Sequence, residues 1–382
     1  MIIGVPKEIV DQEYRVAITP QGAHELVDEG HAVLIESGAG EGSSISDSDF
    51  EAAGARIVQA AEEVFADAKM ILKVKEPLPS EYHMLERGQI IFTFLHLAAD
   101  ERLTRELMER GVVAVAYETV QAADGSLPLL APMSEIAGRM APQIGAHHLE
   151  KMNGGRGLLL GGATGVLPAN VVILGAGLVG SHSAILATGM DAHVVVMDKN
   201  LLKLRYLEHI LHGRITTIVS NKLSVREMVV QADLVIGAVL VPGARSPVLV
   251  DEGVVKEMKP GSVVVDISID QGGSFATSRP TTYSDPVYLI HDVVHFGVRN
   301  LPGAVPITST YSLTNVTLPF VQEIANLGLQ EAVRHDRALA AGVNIIQGRV
   351  TSKPVAEAHS FDYEPLEHIL PIEISSERLF GK

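Results

Sequence analysis

The stretch VVILGAGLVG, residues 171–180, constrains this chain more than any other feature. Gly175, Gly177 and Gly180 form G-x-G-x-x-G directly after an apolar strand and before a small-residue helix, LVGSHSAILATGM. The first glycine permits a tight turn, the second lets the backbone approach a pyrophosphate, and the third lets helix and strand pack closely. The helix then offers its unpaired N–H groups to phosphate. The next strand, AHVVVMD, ends in Asp198, whose carboxylate would accept hydrogen bonds from both ribose hydroxyls and repel a 2′-phosphate. That favours NAD over NADP, although Lys199 and Lys203 beside it pull the other way. Glycine turns also arise for packing alone. The strand, the helix and Asp198 together make the dinucleotide reading specific. Such a unit usually opens a domain, yet this one stands near the middle of 382 residues.

The flanking sequence explains that position. IIGV, HAVLIE, MILKVK, QIIFTFLH and VVAVAYE read as short buried strands. Between them PQGAHELVDEG, SDSDFEAAGA, AAEEVFADA, SEYHMLERG and ERLTRELMERG read as helices, so the first third predicts a parallel sheet with crossovers. The turn-rich ADGSLPLLAP and a helix from Met133 to about Met152 lead into a second series: NVVILG, AHVVVMD, TTIVS, DLVIGAV and GSVVVDISI. After Pro306 the pattern reads as helical, through TLPFVQEIANLGLQEAVRHD and ALAAGVNIIQG, with no further strand series. A helical remainder cannot form a core alone, so it is expected to return to the first domain. The prediction is α/β, with two Rossmann-like parallel-sheet domains. Residues 130–306 form a dinucleotide domain inserted into a discontinuous substrate domain of 1–129 and 307–382.

Composition narrows the function classes. Thirty Lys and Arg against 46 Asp and Glu give a net charge of −16, which argues against a general nucleic-acid binder. There is no cysteine, hence no disulfide, thiolate nucleophile or cysteine-ligated zinc. No metal-ligand cluster is expected. Gly157–Met190 carries no Asp, Glu, Lys or Arg, but its glycines and Pro168 break any single helix, so a membrane span is not expected. The N-terminus, MIIGVPKEIV, lacks the pattern of a signal peptide, and the cytoplasm is the expected location.

Parallel sheets place ligands at the C-terminal ends of their strands. Four polar residues fall there: Lys75 ends MILKVK, His96 ends QIIFTFLH, Asp270 follows SVVVDISI, and Arg15 lies in the loop after the first strand. Each has an ordinary alternative, as a surface charge, an N-cap or a satisfied structural histidine. His147 and His148, in the long helix, read as surface or packing residues.

The segments GVPKEIVDQEYRVAITP, FLHLA, AYETV, MSEIAGRMA, GGRGLLLGG, ADLVIGAVLVPGA, VVDISIDQGG and NLPGAVPITST carry a further signal. Through them the chain resembles the alanine dehydrogenase/transhydrogenase N-terminal family over nearly its whole length. The resemblance implies reversible oxidative deamination of L-alanine to pyruvate and ammonium, coupled to NAD reduction. It implies that Arg15 and Lys75 bind the substrate's carboxylate and carbonyl end, and that His96 and Asp270 transfer protons. For NAD it points, besides the glycines, to Ser134, Leu178, Val179, Asp198, Lys203, Ser220, Val239, Leu240, Ile267, Asp270, Arg279, Val298, Asn300 and Leu301. It also implies a homo-oligomer, hexamer or dimer, with no nucleic-acid or membrane partner. The chain departs from the family at Ser274, Phe275 and Ala276, where Cys and Glu are common, and at Phe94 and Tyr283, where Tyr and His are common. Three alternatives stand beside this reading: a dehydrogenase or reductase of a larger amino or imino acid, a transhydrogenase subunit, and a non-catalytic NAD-binding regulator.

Overall fold

The computed structural model describes residues 1–239 and 246–370, and they fall into two compact units. One joins Met1–Pro132 to the segment that starts at Gly303; the other is Met133–Pro302. The first unit begins with β1 (Ile2–Val5), β2 (Ala32–Glu36), β3 (Arg56–Val58), β4 (Met70–Leu72), β5 (Ile90–Thr93) and β6 (Val113–Ala116). The second holds β7 (Asn170–Leu174), β8 (His193–Asp198), β9 (Thr216–Val219), β10 (Leu234–Gly237), β11 (Val263–Asp266), β12 (Val287–Ile290) and β13 (Val293–Phe296). The chain then returns to the first unit with β14 (Val343–Ile346) and β15 (Arg349–Val350).

In the first sheet the order is β15-β14-β6-β5-β4-β1-β2-β3, with β1 to β6 parallel and β14 antiparallel to β6. In the second it is β12-β13-β11-β10-β7-β8-β9, parallel apart from β12. Helices cover both faces of such sheets, so the strands are buried on both sides and rich in Val and Ile. Ile3, Ile71, Ile91, Val171, Ile236 and Val265 are all inaccessible. The chain order reverses between β1 and β4 in one sheet and between β7 and β10 in the other. Ligands of doubly wound sheets bind outside the strand ends at these switch points. Among the described residues no helix is long and apolar enough to cross a membrane.

Several local expectations need correction. MILKVK is strand only to Leu72, because Lys73–Lys75 turn toward side-chain partners described below. SEYHMLERG forms only a 3-10 turn at Tyr82–Met84, since the Glu81 carboxylate bonds Lys73 and the Leu78 amide instead of supporting a longer helix. The segment ARIV contributes an unexpected edge strand, β3. Two further hairpins, β12–β13 and β14–β15, were also not expected. Their turns, His291-Asp292 and Gln347-Gly348, have positive φ at both central residues, the geometry of tight hairpins. The second hairpin stops the expected helix at Gly342.

Candidate active site

In the second unit, β7 runs into the turn Gly175–Gly177 and the helix Leu178–Gly189. Gly175 has φ +110°, and a Cβ there would stand 2.5 Å from the Ala238 carbonyl oxygen on the neighbouring strand's exit. A Cβ on Gly180 would stand 1.8 Å from the Gly175 carbonyl oxygen. These two glycines are therefore demanded by packing. Gly177 is different. It has φ −74°, and among the described residues a Cβ there would meet nothing within 4 Å, so no described packing requires it to be bare. Among the described residues no side chain caps this helix.

Asp198 ends β8 beside the turn. Its carboxylate accepts from the Ala176 amide at 2.7 Å and from the Asn200 amide at 2.8 Å. One oxygen thus ties the glycine turn to β8, while a carboxylate with about four acceptor sites keeps capacity for a ribose diol. Lys203 is exposed in the first turn of the helix Leu201–Ile210, and the Ser220 amide donates to the Asp198 carbonyl. Leu178 is exposed and Val179 half-buried in the first turn after the glycines. Ser134 is half-buried near the start of the helix Ala131–Leu149. The turn, the diol acceptor and the uncapped helix fit a dinucleotide.

The 3-10 turn Ile267–Gln271 follows β11 and carries Ile267 and the exposed Asp270. Its anchor is Asp266, only 2% exposed, which accepts from the amides of Ser268 and Ser274 and from the hydroxyls of Ser274 and Ser278. Burial pushes this carboxyl up, and those hydrogen bonds pull it back. A Cβ on Gly237 or Gly273 would enter this carboxylate. Asp270 is among the residues predicted from the sequence and Asp266 is not, although both stand in VVDISIDQGG. Ser274, one of the departures from the family, is fully buried within this knot, and Phe275 is 2% exposed. Ser268 also bonds both the amide and the carbonyl of Val239. Leu240 lies outside the described residues.

Arg279 lays its guanidinium over the Tyr288 ring, 4.2 Å from the centroid. The side chains of Val298 and Leu301 are buried, so any role toward a ligand falls to their backbone; Asn300 between them has φ +58°. Tyr283, another departure, donates its hydroxyl to the Leu301 carbonyl. His147 is exposed, and His148 is buried with its ring 5.8 Å from that of Phe296.

In the first unit Lys75 and His96 lie just past the ends of the adjacent strands β4 and β5, and Arg15 lies further along the segment that follows β1. Arg15 is 2% exposed and does not reach openly into solvent. Its Nε donates to Glu13 Oε1 at 2.6 Å and its Nη2 to Glu13 Oε2 at 2.5 Å. The side-on edge of the guanidinium is therefore already engaged in a two-point pair. Lys75 follows β4, with its carbonyl held by the Thr93 hydroxyl at 2.9 Å.

His96 follows β5 in the left-handed region, with φ 49° and ψ 36°. A bulky residue there costs conformational energy and persists only when its surroundings hold it. Glu118, after β6, supplies the hold. Its carboxylate accepts from the His96 amide at 2.6 Å and from the Leu95 amide at 3.2 Å, and it stands 4.0 Å from His96 Nδ1. The ring lies parallel to Phe94, with centroids 6.0 Å apart, and Phe94 packs edge-on against Tyr117. Sequence reading missed Glu118. The signal available was a lone Glu directly after a buried strand, in AYETV.

Arg15, Lys75 and His96 thus share one unit, whereas Asp270 and the residues predicted for the dinucleotide that lie within the described chain share the other. Two doubly wound sheets, one with a glycine-rich turn beside an acidic strand end, define a two-domain protein of the Rossmann type. Residues 4–137 match the family model for the N-terminal domain of alanine dehydrogenase/PNT, and residues 141–353 match that for its C-terminal domain. The chain belongs to the alanine dehydrogenase/PNT family. It is 53% identical to an alanine dehydrogenase of Methanococcus maripaludis over 371 residues, covering 97% of this chain and all of the relative. A solved L-alanine dehydrogenase superposes with a TM-score of 0.92 at 48% identity, covering 94% of this chain and 99% of that one. A transhydrogenase from Sinorhizobium meliloti superposes with a TM-score of 0.78 at 25% identity, covering 92% and 99%.

Proposed function

We propose that this protein interconverts L-alanine and pyruvate: L-alanine, NAD⁺ and water give pyruvate, ammonium, NADH and a proton. One observation carries the reading. In a chain similar to alanine dehydrogenases almost from end to end, Lys75 and His96 follow the ends of adjacent strands near a sheet switch point, Arg15 lies in the segment after β1, and Asp270 is exposed in the turn after β11. The identity to the L-alanine dehydrogenase structure, 48% against 25% for the transhydrogenase, favours this over a transhydrogenase subunit.

The pyrophosphate of NAD would rest on the Gly175–Gly180 turn and the first turn of the next helix, at Leu178 and Val179. The adenosine ribose would rest on Asp198, near Lys203 and Ser220. Val239, Leu240, Ile267, Arg279, Val298, Asn300, Leu301 and Ser134 would complete the hold. When bound, NAD supplies a hydride acceptor. Arg15 binds the substrate carboxylate. Glu13 grips its Nε–Nη2 edge, which fixes the plane in which the guanidinium meets that carboxylate. Lys75 donates to the carbonyl oxygen and lowers the energy of developing negative charge there. His96 and Asp270 share the proton transfers that accompany addition of water and release of ammonia, work suited to an imidazole near neutral pH. Glu118 holds the His96 backbone at its tight turn and places a carboxylate near the ring.

We further infer a cytoplasmic enzyme that works as a homo-oligomer, hexamer or dimer. The central test is NADH oxidation, followed by absorbance, with pyruvate plus ammonium against a panel of larger oxo acids and cyclic imines. Turnover confined to a larger substrate would redirect the assignment. Hydride transfer only between two nucleotides would identify a transhydrogenase, and tight NADH binding without turnover a regulator.

A further inference from the structure

Beyond the groups that meet substrate, the first unit contains a buried ionic cluster with no direct part in the proposed chemistry. Lys73 is completely inaccessible and lies 3.2 Å from Glu8 Oε2 and 2.9 Å from Glu81 Oε1. Burying three such charges is costly, and a paired buried cluster is no guarantee of stability. The second oxygen of Glu8 shows what the cluster accomplishes. Glu8 Oε1 accepts from the Val74 amide at 2.5 Å and from the Lys75 amide at 3.2 Å.

The location explains why a side chain is needed. β1 pairs with β4 only at Ile3↔Met70 and Gly4↔Ile71, and β1 ends at Val5. Beyond that point the β4 chain has lost its backbone neighbour on one side, while Lys73 still donates to the Phe92 carbonyl on the other. Unpaired buried amides are expensive, so Val74 and Lys75 need an acceptor. Glu8, on the segment that has just left β1, provides one. Thr93 bonds the Lys75 carbonyl, so the Lys75 peptide is clamped at both its N–H and its C=O. Burial holds the Glu8 carboxyl above the usual range, against the opposing pull of Lys73 and the Val74 amide.

We infer that Glu8, secured by Lys73, is a positioning residue for Lys75: it replaces the lost strand neighbour and fixes where the lysine leaves the sheet. This inference rests on the assignment of Lys75 to the substrate. The length of the Glu8 side chain then matters more than its charge. Glu8→Gln keeps the reach to both amides, whereas Glu8→Asp keeps the charge and loses the reach.

The test is pyruvate affinity, read by the fluorescence of the protein–NADH complex, so that it does not depend on turnover. Glu8→Asp should weaken pyruvate about tenfold, as expected for loss of a charge-assisted hydrogen bond, and Glu8→Gln only about twofold, since a neutral hydrogen bond takes its place. NADH affinity should be unchanged in both. In a Lys75→Met background Glu8→Asp should have almost no further effect, because a residue acting through another loses its influence when that other is gone. An undiminished effect in that background, or wild-type pyruvate affinity for Glu8→Asp, would overturn the inference. Wild-type affinity in Lys75→Met alone would instead remove the assignment of Lys75, and the inference with it. If the Glu8 variants do not fold, Thr93→Val loosens the same peptide from its carbonyl side. It should weaken pyruvate about threefold, and wild-type affinity there would also overturn the inference.

Discussion

Gly177→Ala and Gly180→Ala change the same glycine motif by one methyl group and should have opposite consequences. At Gly180 the new Cβ would lie 1.8 Å from the Gly175 carbonyl oxygen, whereas real Cβ contacts stay beyond 3.0 Å. The helix Leu178–Gly189 must therefore back away from the turn by more than an ångström, backbone against backbone. Overpacking of this kind costs about 3 kcal/mol or more. The roughly 1 kcal/mol that alanine gains over glycine within a helix does not offset it. In a unit of this size the expected fall in Tm is about 5–10 °C. At Gly177 the backbone suits alanine and no described residue crowds the space, so Tm should stay level or rise slightly, because alanine restricts the unfolded chain by about 0.4–1 kcal/mol. If the bare Cα exists for the approach of a pyrophosphate, however, Gly177→Ala should weaken NADH at least tenfold, a cost of about 1.4 kcal/mol. Thermal melts and NADH fluorescence titrations on both variants check this. Wild-type NADH affinity in Gly177→Ala would refute the close approach, and an unshifted melt in Gly180→Ala would refute the packing argument.

Three further outcomes follow from the site. Asp198→Ala should weaken NADH and narrow its advantage over NADPH in kcat/KM; because Asp198 also holds the Ala176 amide, a small fall in Tm should accompany it. Arg15→Lys should raise the KM for pyruvate at least tenfold with NADH affinity unchanged. It should also lower stability by about 1–3 kcal/mol, since the buried Glu13 loses its two-point partner. A melt identical to wild type would show that the Glu13 pair contributes little. His96→Ala and Asp270→Asn should stay folded, bind NADH normally and lose roughly 10²–10⁴-fold in single-turnover rate. The double variant should lose less than the product of the two, and near-normal turnover in folded His96→Ala would return that histidine to a structural role.

Alternation of apolar runs with helical patterns is a local property, and it was enough to reveal two mostly parallel sheets and a glycine-rich turn in mid-chain. The glycine spacing likewise named its own helix and strand, because those constraints act over a few residues. His96, Lys75 and Asp270 could be picked out because ligands of parallel sheets gather at strand ends, and strand ends are visible in a sequence. What stayed hidden depends on neighbours distant in the chain. The β12–β13 and β14–β15 hairpins turn on pairs whose left-handed backbone is imposed by strand pairing, and His-Asp carries no obvious turn signature. The strand expected through Lys75 ends early because β1 leaves the sheet and Glu8, 66 positions earlier than Val74, supplies the missing acceptor. Glu13 fixes the plane of the Arg15 guanidinium, Glu118 holds His96 in a strained conformation, and Asp266 anchors the turn that bears Asp270. In sequence each of these carboxylates is an ordinary acidic residue. Each acquires its role only when folding removes water from around it and leaves a specific amide, hydroxyl or guanidinium as its partner.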